Sequence, residues 1–153
     1  NHQDKMQRTA LTWYLSTKDD CRVEFVPELC KRGADVNIKD GDGLTALLIA
    51  AQQCDLDSIS VLLEYGANLT DTNIDGENVF HIAAKRNQAD LIYHIIHQKP
   101  EKVEALANAR TVHGETPLMV AERCRFMNVI WLLTEWTVLD NEDSMIGMVA
   151  RAC

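Results

Sequence analysis

Very little in these 153 residues is arranged for chemistry, and the shortages narrow the field first. Basic residues are outnumbered, with 15 Lys and Arg against 23 Asp and Glu, giving a net charge of −8. That deficit argues against nucleic acid as a partner, which needs basic stripes to neutralise phosphates, and against docking on anionic lipid. No apolar run approaches the ~18 residues of a membrane-spanning helix, so no membrane partner is expected. The opening segment NHQDKMQRTA lacks the apolar stretch of a signal peptide. The chain is therefore expected in the cytoplasm, the nucleus or both. Because it starts at Asn1 rather than Met, it is also expected to be a fragment or a processed product.

Cysteine pairs at metal-ligand or disulfide spacing are lacking. Cys21, Cys30, Cys54, Cys124 and Cys153 are odd in number, far apart and without a CxxC pair. That argues against a zinc ribbon or a disulfide framework and leaves reduced thiols, several packed as small hydrophobes. Glycine is thin, and no glycine cluster forms a phosphate loop. The GDG at Gly41 reads as a hairpin turn. No serine or cysteine sits in a nucleophile elbow. His94 and His97 lie one helical turn apart and invite a metal reading with Cys124 or His113, but they fall on the partly exposed side of a helix. Neither an enzyme, a cofactor, a metal nor a small-molecule substrate is expected.

What is present is an ordinary globular composition, 46% apolar and 25% charged. A single domain of this size buries about two-thirds of its unfolded surface. The distinguishing feature is an internal repeat. RTALTWYL from Arg8, LTALLIAA from Leu44, ENVFHIAA from Glu77 and ETPLMVAE from Glu115 share one pattern. Each has a polar residue, a small or β-branched one, then an alanine-rich apolar helix. The anchors Thr9, Thr45, Asn78 and Thr116 are 36, 33 and 38 residues apart. Gly43, Gly76 and Gly114 precede three of them by two positions, and Gln7 precedes the first. KRGADVNIKDGDG from Lys31 matches EYGANLTDTNIDG from Glu64, with Gly33 and Gly66 again 33 apart. The anchor threonines suit helix N-caps, Pro117 suits a first helical turn, and Gly33 and Gly66 suit left-handed C-caps.

On these residues the chain resembles the ankyrin repeat family. The second repeat carries Asp40, Gly43, Thr45, Leu47, Ala50, Ala51, Leu62, Leu63, Gly66 and Ala67 of the family pattern. The third carries Gly76, His81, Ala83 and Ala84, and the fourth carries Gly114, Thr116, Pro117, Leu118 and Ala121. The resemblance implies an all-α fold: an ankyrin-repeat solenoid of helix–loop–helix units with β-hairpin-like connecting loops. One domain over 1–153 is expected, with repeats near 4–39, 40–72, 73–110 and 111–139. A C-terminal capping helix is expected near 141–153. Leu62/Leu63, Ile95/Ile96 and Leu132/Leu133 are expected to fill the seam between repeats. The first repeat has three extra residues near Lys18–Val23, and Pro27 either starts or kinks its second helix. The third has five extra residues, HQKPEKVEALANAR from His97, expected to extend a helix and then run as a loop broken at Pro100.

The resemblance further implies another protein as partner, held on hairpin tips and the concave face of the first helices. Carried over by position, that surface takes Lys5, Met6, Arg8, Ser16 and Thr17 from the first repeat. The second offers Lys39, Gly41, Asp42, Leu44, Gln52 and Gln53. The third offers Thr72, Ile74, Asp75, Glu77, Lys85 and Arg86, and the fourth Arg110, Val112, His113, Glu115, Glu122 and Arg123. Most of these are simply solvated positions. The apolar tips Leu44, Ile74 and Val112 stand out, as do Arg86, Arg110 and Arg123, because arginines are enriched at binding hot spots. Trp131 falls at a normally exposed place on an outer helix, and Trp13 where the family buries an apolar residue. His81 takes the family's structural histidine position. Leu29 and Asp35-Val36-Asn37 resemble the sequence chosen by the asparaginyl hydroxylase of ankyrin domains, making Asn37 a candidate modification site. Two narrower roles are implied as alternatives. One is an inhibitor similar to IκB proteins acting on a Rel/NF-κB-type transcription factor. The other is a regulatory or targeting domain of a larger enzyme or signalling protein.

Overall fold

The computed structural model describes residues 1–17 and 22–138, and the side chains of 1–17 and 24–135. Four short helices carry the repeat: α1 (Ala10–Ser16), α3 (Ala46–Gln53), α5 (Val79–Lys85) and α8 (Pro117–Cys124). The side chains of Thr9, Thr45, Asn78 and Thr116 accept N–H bonds from the first turns of these helices. Each such cap contributes about 1 kcal/mol. Pro117 takes the first helical position of α8, where its missing N–H costs nothing.

A second helix follows in each repeat: α2 (Arg22–Lys31), α4 (Leu56–Glu64), α6 (Ala89–Gln98) and α9 (Met127–Val138). The reversals from α3 to α4, α5 to α6 and α8 to α9 use Cys54, Asn87 and Arg125 in the left-handed region, at φ 55°, 58° and 59°. The N–H groups of Asp55, Gln88 and Phe126 then bond back to the carbonyls of Ala50, Ala83 and Ala121. Gly33 and Gly66 end α2 and α4 at φ +82° and +83° with the same closing bond, from Ala34 to Leu29 and from Ala67 to Leu62. Pro27 lies inside α2, which runs through it.

The first helices pack in the order α1–α3–α5–α8; behind them α2 packs on α4 and α6 on α9, and Ser60 of α4 meets His94 of α6. Between the rows, Leu11, Leu15, Leu47, Leu48, Ile59, Leu62, Phe80, Leu91, Ile92, Ile95 and Leu133 are fully buried. Ala46, Ala50, Ala51, Ala83, Ala84 and Ala121 are also buried, and their small side chains let the first helices approach closely. The seam expectation holds except at Leu132, which is only half-buried.

The insertion in the third repeat differs from its expectation. α6 ends at Gln98, and Pro100–Lys102 form a 3-10 turn. A new helix, α7 (Val103–Asn108), then replaces the expected loop. Pro100 cannot continue α6 because it has no N–H to give, but it fits the start of the next turn. Val103, Leu106 and Ala107 share one buried face, which packs on α5, α8 and α9. This insertion is therefore part of the core. It also explains why Asn78 stands where the other repeats have threonine. Its Oδ1 caps α5, while its Nδ2 donates to Leu106 O at 2.9 Å. A threonine hydroxyl cannot reach both ways. The insertion near 18–23 falls largely outside the described residues, and the expected capping helix at 141–153 lies outside them entirely.

Four turns precede the first helices and are built alike. Asp4, Asp40, Asn73 and Thr111 each accept two backbone N–H bonds from two and four residues ahead. Adjacent turns are tied by single backbone bonds: Gly41 N to Met6 O at 2.9 Å, Ile74 N to Asp42 O at 3.3 Å, and Val112 N to Asp75 O at 2.9 Å. No strand is formed among the described residues. Gly76 sits at φ +74° where a Cβ would come 3.0 Å from Val112 N; Gly114 sits at φ +78° with open space around it. G114A is expected to cost about 1 kcal/mol, for left-handed strain alone. G76A adds a collision with the neighbouring turn's backbone and is expected to cost more. Urea unfolding of the two variants tests this, and equal losses would count against the tied-turn description.

Candidate functional site

The expected partner-binding residues lie in the turns, beside them, and on the first helices or at their ends. The tips are not equivalent. Ile74 is 67% exposed and Val112 is 64% exposed, while Met6 is also exposed at the first turn. Ile74 leans one methyl toward Gly43 of the preceding turn, yet most of the side chain stays bare. Leu44 is a correction. It is not a bare tip: it lies next to the Thr45 cap, half-buried against the core. The reason is position, since Leu44 aligns with Glu77 and Glu115 rather than with Ile74 and Val112.

That same column carries charge in the later repeats. Lys85 Nζ meets Glu77 Oε1 at 2.9 Å, and Arg123 Nη2 meets Glu115 Oε2 at 3.1 Å. Each pair ties the end of a turn to the last turn of the following helix. Burial pushes the Glu77 carboxyl up, but bonds from Lys85 and Asn73 outweigh it and hold the group below the usual range. Arg110 is also engaged, donating from Nη1 to Gly114 O at 2.7 Å. Arg86 is exposed and makes no side-chain bond or ion pair among the described residues. Asp42, Asp75, His113 and Glu122 are exposed, whereas Gln52 and Gln53 are half-buried at the end of α3.

Lys39 and Asn37 reach from one repeat's loop to the next. Lys39 Nζ donates to Thr72 O at 2.8 Å. Asn37 uses its whole amide: Nδ2 donates to Gly66 O at 3.1 Å and Oδ1 accepts from Asn68 N at 2.9 Å. His81 does the same work inside the core. Its Nε2 meets Glu115 O at 3.0 Å, and its Nδ1 meets Asn78 N at 3.3 Å. Because Glu115 O can only accept, Nε2 carries the proton and Nδ1 accepts from Asn78 N, so the 2.8 Å approach of Nδ1 to Asn78 Oδ1 is not a hydrogen bond. Burial pushes the His81 imidazole below its usual value, so it is neutral at pH 7.

The remaining histidines do not converge. His94 Nε2 lies 2.8 Å from Ser60 Oγ, and His97 Nδ1 lies 2.8 Å from Tyr93 O. Among the described residues no group of three or more His, Cys, Asp or Glu side chains is placed to hold a metal ion. Cys30, Cys54 and Cys124 are free thiols, and burial pushes the first two above the usual thiol range. Trp13 is 51% exposed although its equivalents Ile49, Ile82 and Val120 are buried. The left-handed residues Cys54, Asn87 and Arg125 escaped sequence reading because none is a glycine.

Comparison with known proteins agrees with this geometry. The family profile of ankyrin repeats (many copies) matches residues 11–63 and 47–96. The putative ankyrin repeat protein L92 of Acanthamoeba polyphaga mimivirus is 37% identical over 84 residues, 52% of this chain and 19% of that protein. The B-cell lymphoma 3 protein homolog of Mus musculus is 28% identical over 118 residues, 76% of this chain and 25% of that protein. An intracellular phospholipase A2 of Caenorhabditis elegans is 28% identical over 89 residues, 55% of this chain and 8% of that protein. The chain thus spans a quarter or less of each of these relatives. With the profile covering more than half of the chain, and capped helix pairs stacked behind tied turns, the chain belongs to the ankyrin repeat family.

Proposed function

We propose that this chain binds a partner protein, in the cytoplasm or nucleus, along the strip formed by its turn tips and first-helix ends. Ankyrin repeats are generally protein–protein interaction modules and are typically not enzymes. The observation that carries the reading is the pair Ile74 and Val112. An aliphatic side chain at a turn tip gains nothing from standing in water, and here two neighbouring tips carry one each. Beside them Asp42, Asp75, His113 and the unengaged Arg86 supply a polar rim. Free thiols at Cys30, Cys54 and Cys124 suit a reducing compartment.

The test is affinity capture from lysate with mass spectrometry, run in parallel on the parent chain, I74D/V112D and R86E. These exposed substitutions are expected to leave the melting midpoint in place and to reduce the captured partner by about tenfold or more, as for loss of a hot spot. Arg123 is a poorer choice for charge reversal, because it would set two acids against each other at Glu115. If both variants capture the parent's partner unchanged, the strip is the wrong surface.

The match along 76% of this chain to the mouse B-cell lymphoma 3 protein homolog is compatible with the narrower reading of an IκB-like inhibitor. Captured material without a Rel-type factor overturns that version. The match to a segment covering 8% of a phospholipase is compatible with a regulatory domain in a larger protein.

A further inference from the structure

The outer helices carry a second feature, away from the strip. Equivalent places on α4, α6 and α9 are taken by Ser60, Tyr93 and Trp131, and one turn earlier by Asp57, Asp90 and Asn128. Between α4 and α6 the space is closed by polar side chains. Ser60 Oγ, His94 Nε2 and Gln98 Nε2 lie within 2.8 to 3.0 Å of one another. Between α6 and α9, Leu132 takes the place of His94 and no such network forms among the described residues. A groove of about 320 Å³ opens there, lined by Ala89, Asp90, Tyr93, Asn128, Trp131 and Leu132.

The lining is unusual for a solvated outer face. Trp131 is 64% exposed and Tyr93 is 55% exposed. The Tyr93 ring is steadied by His97, with ring centroids 3.9 Å apart. Asp90 is exposed and has no cation within ion-pair distance among the described residues. Two aromatic surfaces, one unpaired carboxylate and one amide in an apolar groove match one side chain better than others. A guanidinium is flat, weakly hydrated, stacks on aromatic faces and forks onto a carboxylate. A lysine ammonium is compact and strongly hydrated, and gains less from a flat aromatic wall. The net charge of −8 also draws basic surfaces toward this chain.

We propose that the α6–α9 groove is a docking pocket for an arginine side chain presented by a partner protein. The guanidinium stacks on Trp131 and pairs with Asp90, and Tyr93 closes the side of the groove. This pocket is separate from the turn-tip strip and stands or falls independently of it.

N-acetyl-arginine methylamide, titrated into the whole chain, is the probe, read at the indole N–H signal of Trp131 by NMR. A saturable shift is expected, with none from N-acetyl-citrulline methylamide, which has the same flat shape without the charge. D90N and Y93L are each expected to weaken binding about fivefold or more, the equivalent of one cation–π or charged contact. D57N removes the same charge one repeat earlier, beside the Ser60–His94–Gln98 network and with serine in place of the aromatic wall, and is expected to bind as the parent does. The proposal is overturned if citrulline shifts Trp131 as far as arginine, if D57N weakens binding as much as D90N, or if Trp131 does not move. Thermal melts of D90N and Y93L confirm that loss of binding is not loss of fold.

Discussion

Leu106→Ala is expected to lower the unfolding free energy by about 2–5 kcal/mol, the usual cost of deleting a buried leucine side chain. By sequence Leu106 lies in the segment from His97 to Arg110, which carries the third repeat's five extra residues and was expected to end as a loop, where the change would be tolerated. In the structure it is fully buried on α7, against the helices of two repeats. Its carbonyl also holds the Asn78 amide. A cavity here therefore loosens the insertion, the α5 cap and the packing of α9 together. Glu104→Ala, on the exposed side of the same helix, is the control and should stay within about 0.5 kcal/mol of the parent. Urea denaturation followed by circular dichroism measures both. Equal stabilities for L106A and E104A would mean that α7 is a surface extension after all.

His81→Ala is the second large effect, with a signature in pH. The substitution strands Glu115 O and Asn78 N, at about 1–3 kcal/mol for each partner left unsatisfied. The imidazole is fully buried and its affinity for protons is lowered by folding. Below the unfolded value of about 6.5 the unfolded chain takes up a proton that the folded chain refuses, so stability falls with acidification. That loss continues until the pH passes the lowered folded value. The slope is at most about 1.4 kcal/mol per pH unit for this one group. H81A should be less stable than the parent at pH 7.5 and should lose this slope below pH 6.5. A second loss belongs to Glu77. Its lowered carboxyl stabilises the fold above about pH 4.5 and ceases to do so as it is protonated below that value. A parent-like slope in H81A would place the linked proton on another group.

Much of the architecture was legible because the repeat places each residue type where one backbone need recurs. Thr9, Thr45 and Thr116 announce helix starts, since a short side-chain oxygen at an N-cap answers an orphan N–H. Gly33 and Gly66 announce helix ends, since only glycine enters the left-handed region freely. Where a rule was satisfied by an unexpected residue, the sequence was silent. Cys54, Asn87 and Arg125 take left-handed backbone without being glycine, held there by the return bonds that close each reversal. Asn78 shares its anchor position with three threonines, and its second role, as a two-ended link to the insertion, shows only in its bond to Leu106 O. Leu44 looked like an exposed tip because it is apolar beside a turn. Its burial depends on which side of the cap it lies, which register with the later repeats decides.

The sequence by itself determined the period, the helix caps, the turn glycines and so the family, because these are local needs met by single residues. It also determined which residues could line a binding strip, since position within the repeat sets which way a side chain faces. Only the tertiary structure decided which of those residues are unengaged. Arg123 and Lys85 are spent on Glu115 and Glu77, and Arg110 on a turn carbonyl, leaving Arg86 and the tips Ile74 and Val112. It likewise decided that α7 belongs to the core, and that α6 and α9 leave a groove between Asp90 and Trp131. Both depend on contacts between repeats, and a pattern read within one repeat holds no information about how far its neighbour stands.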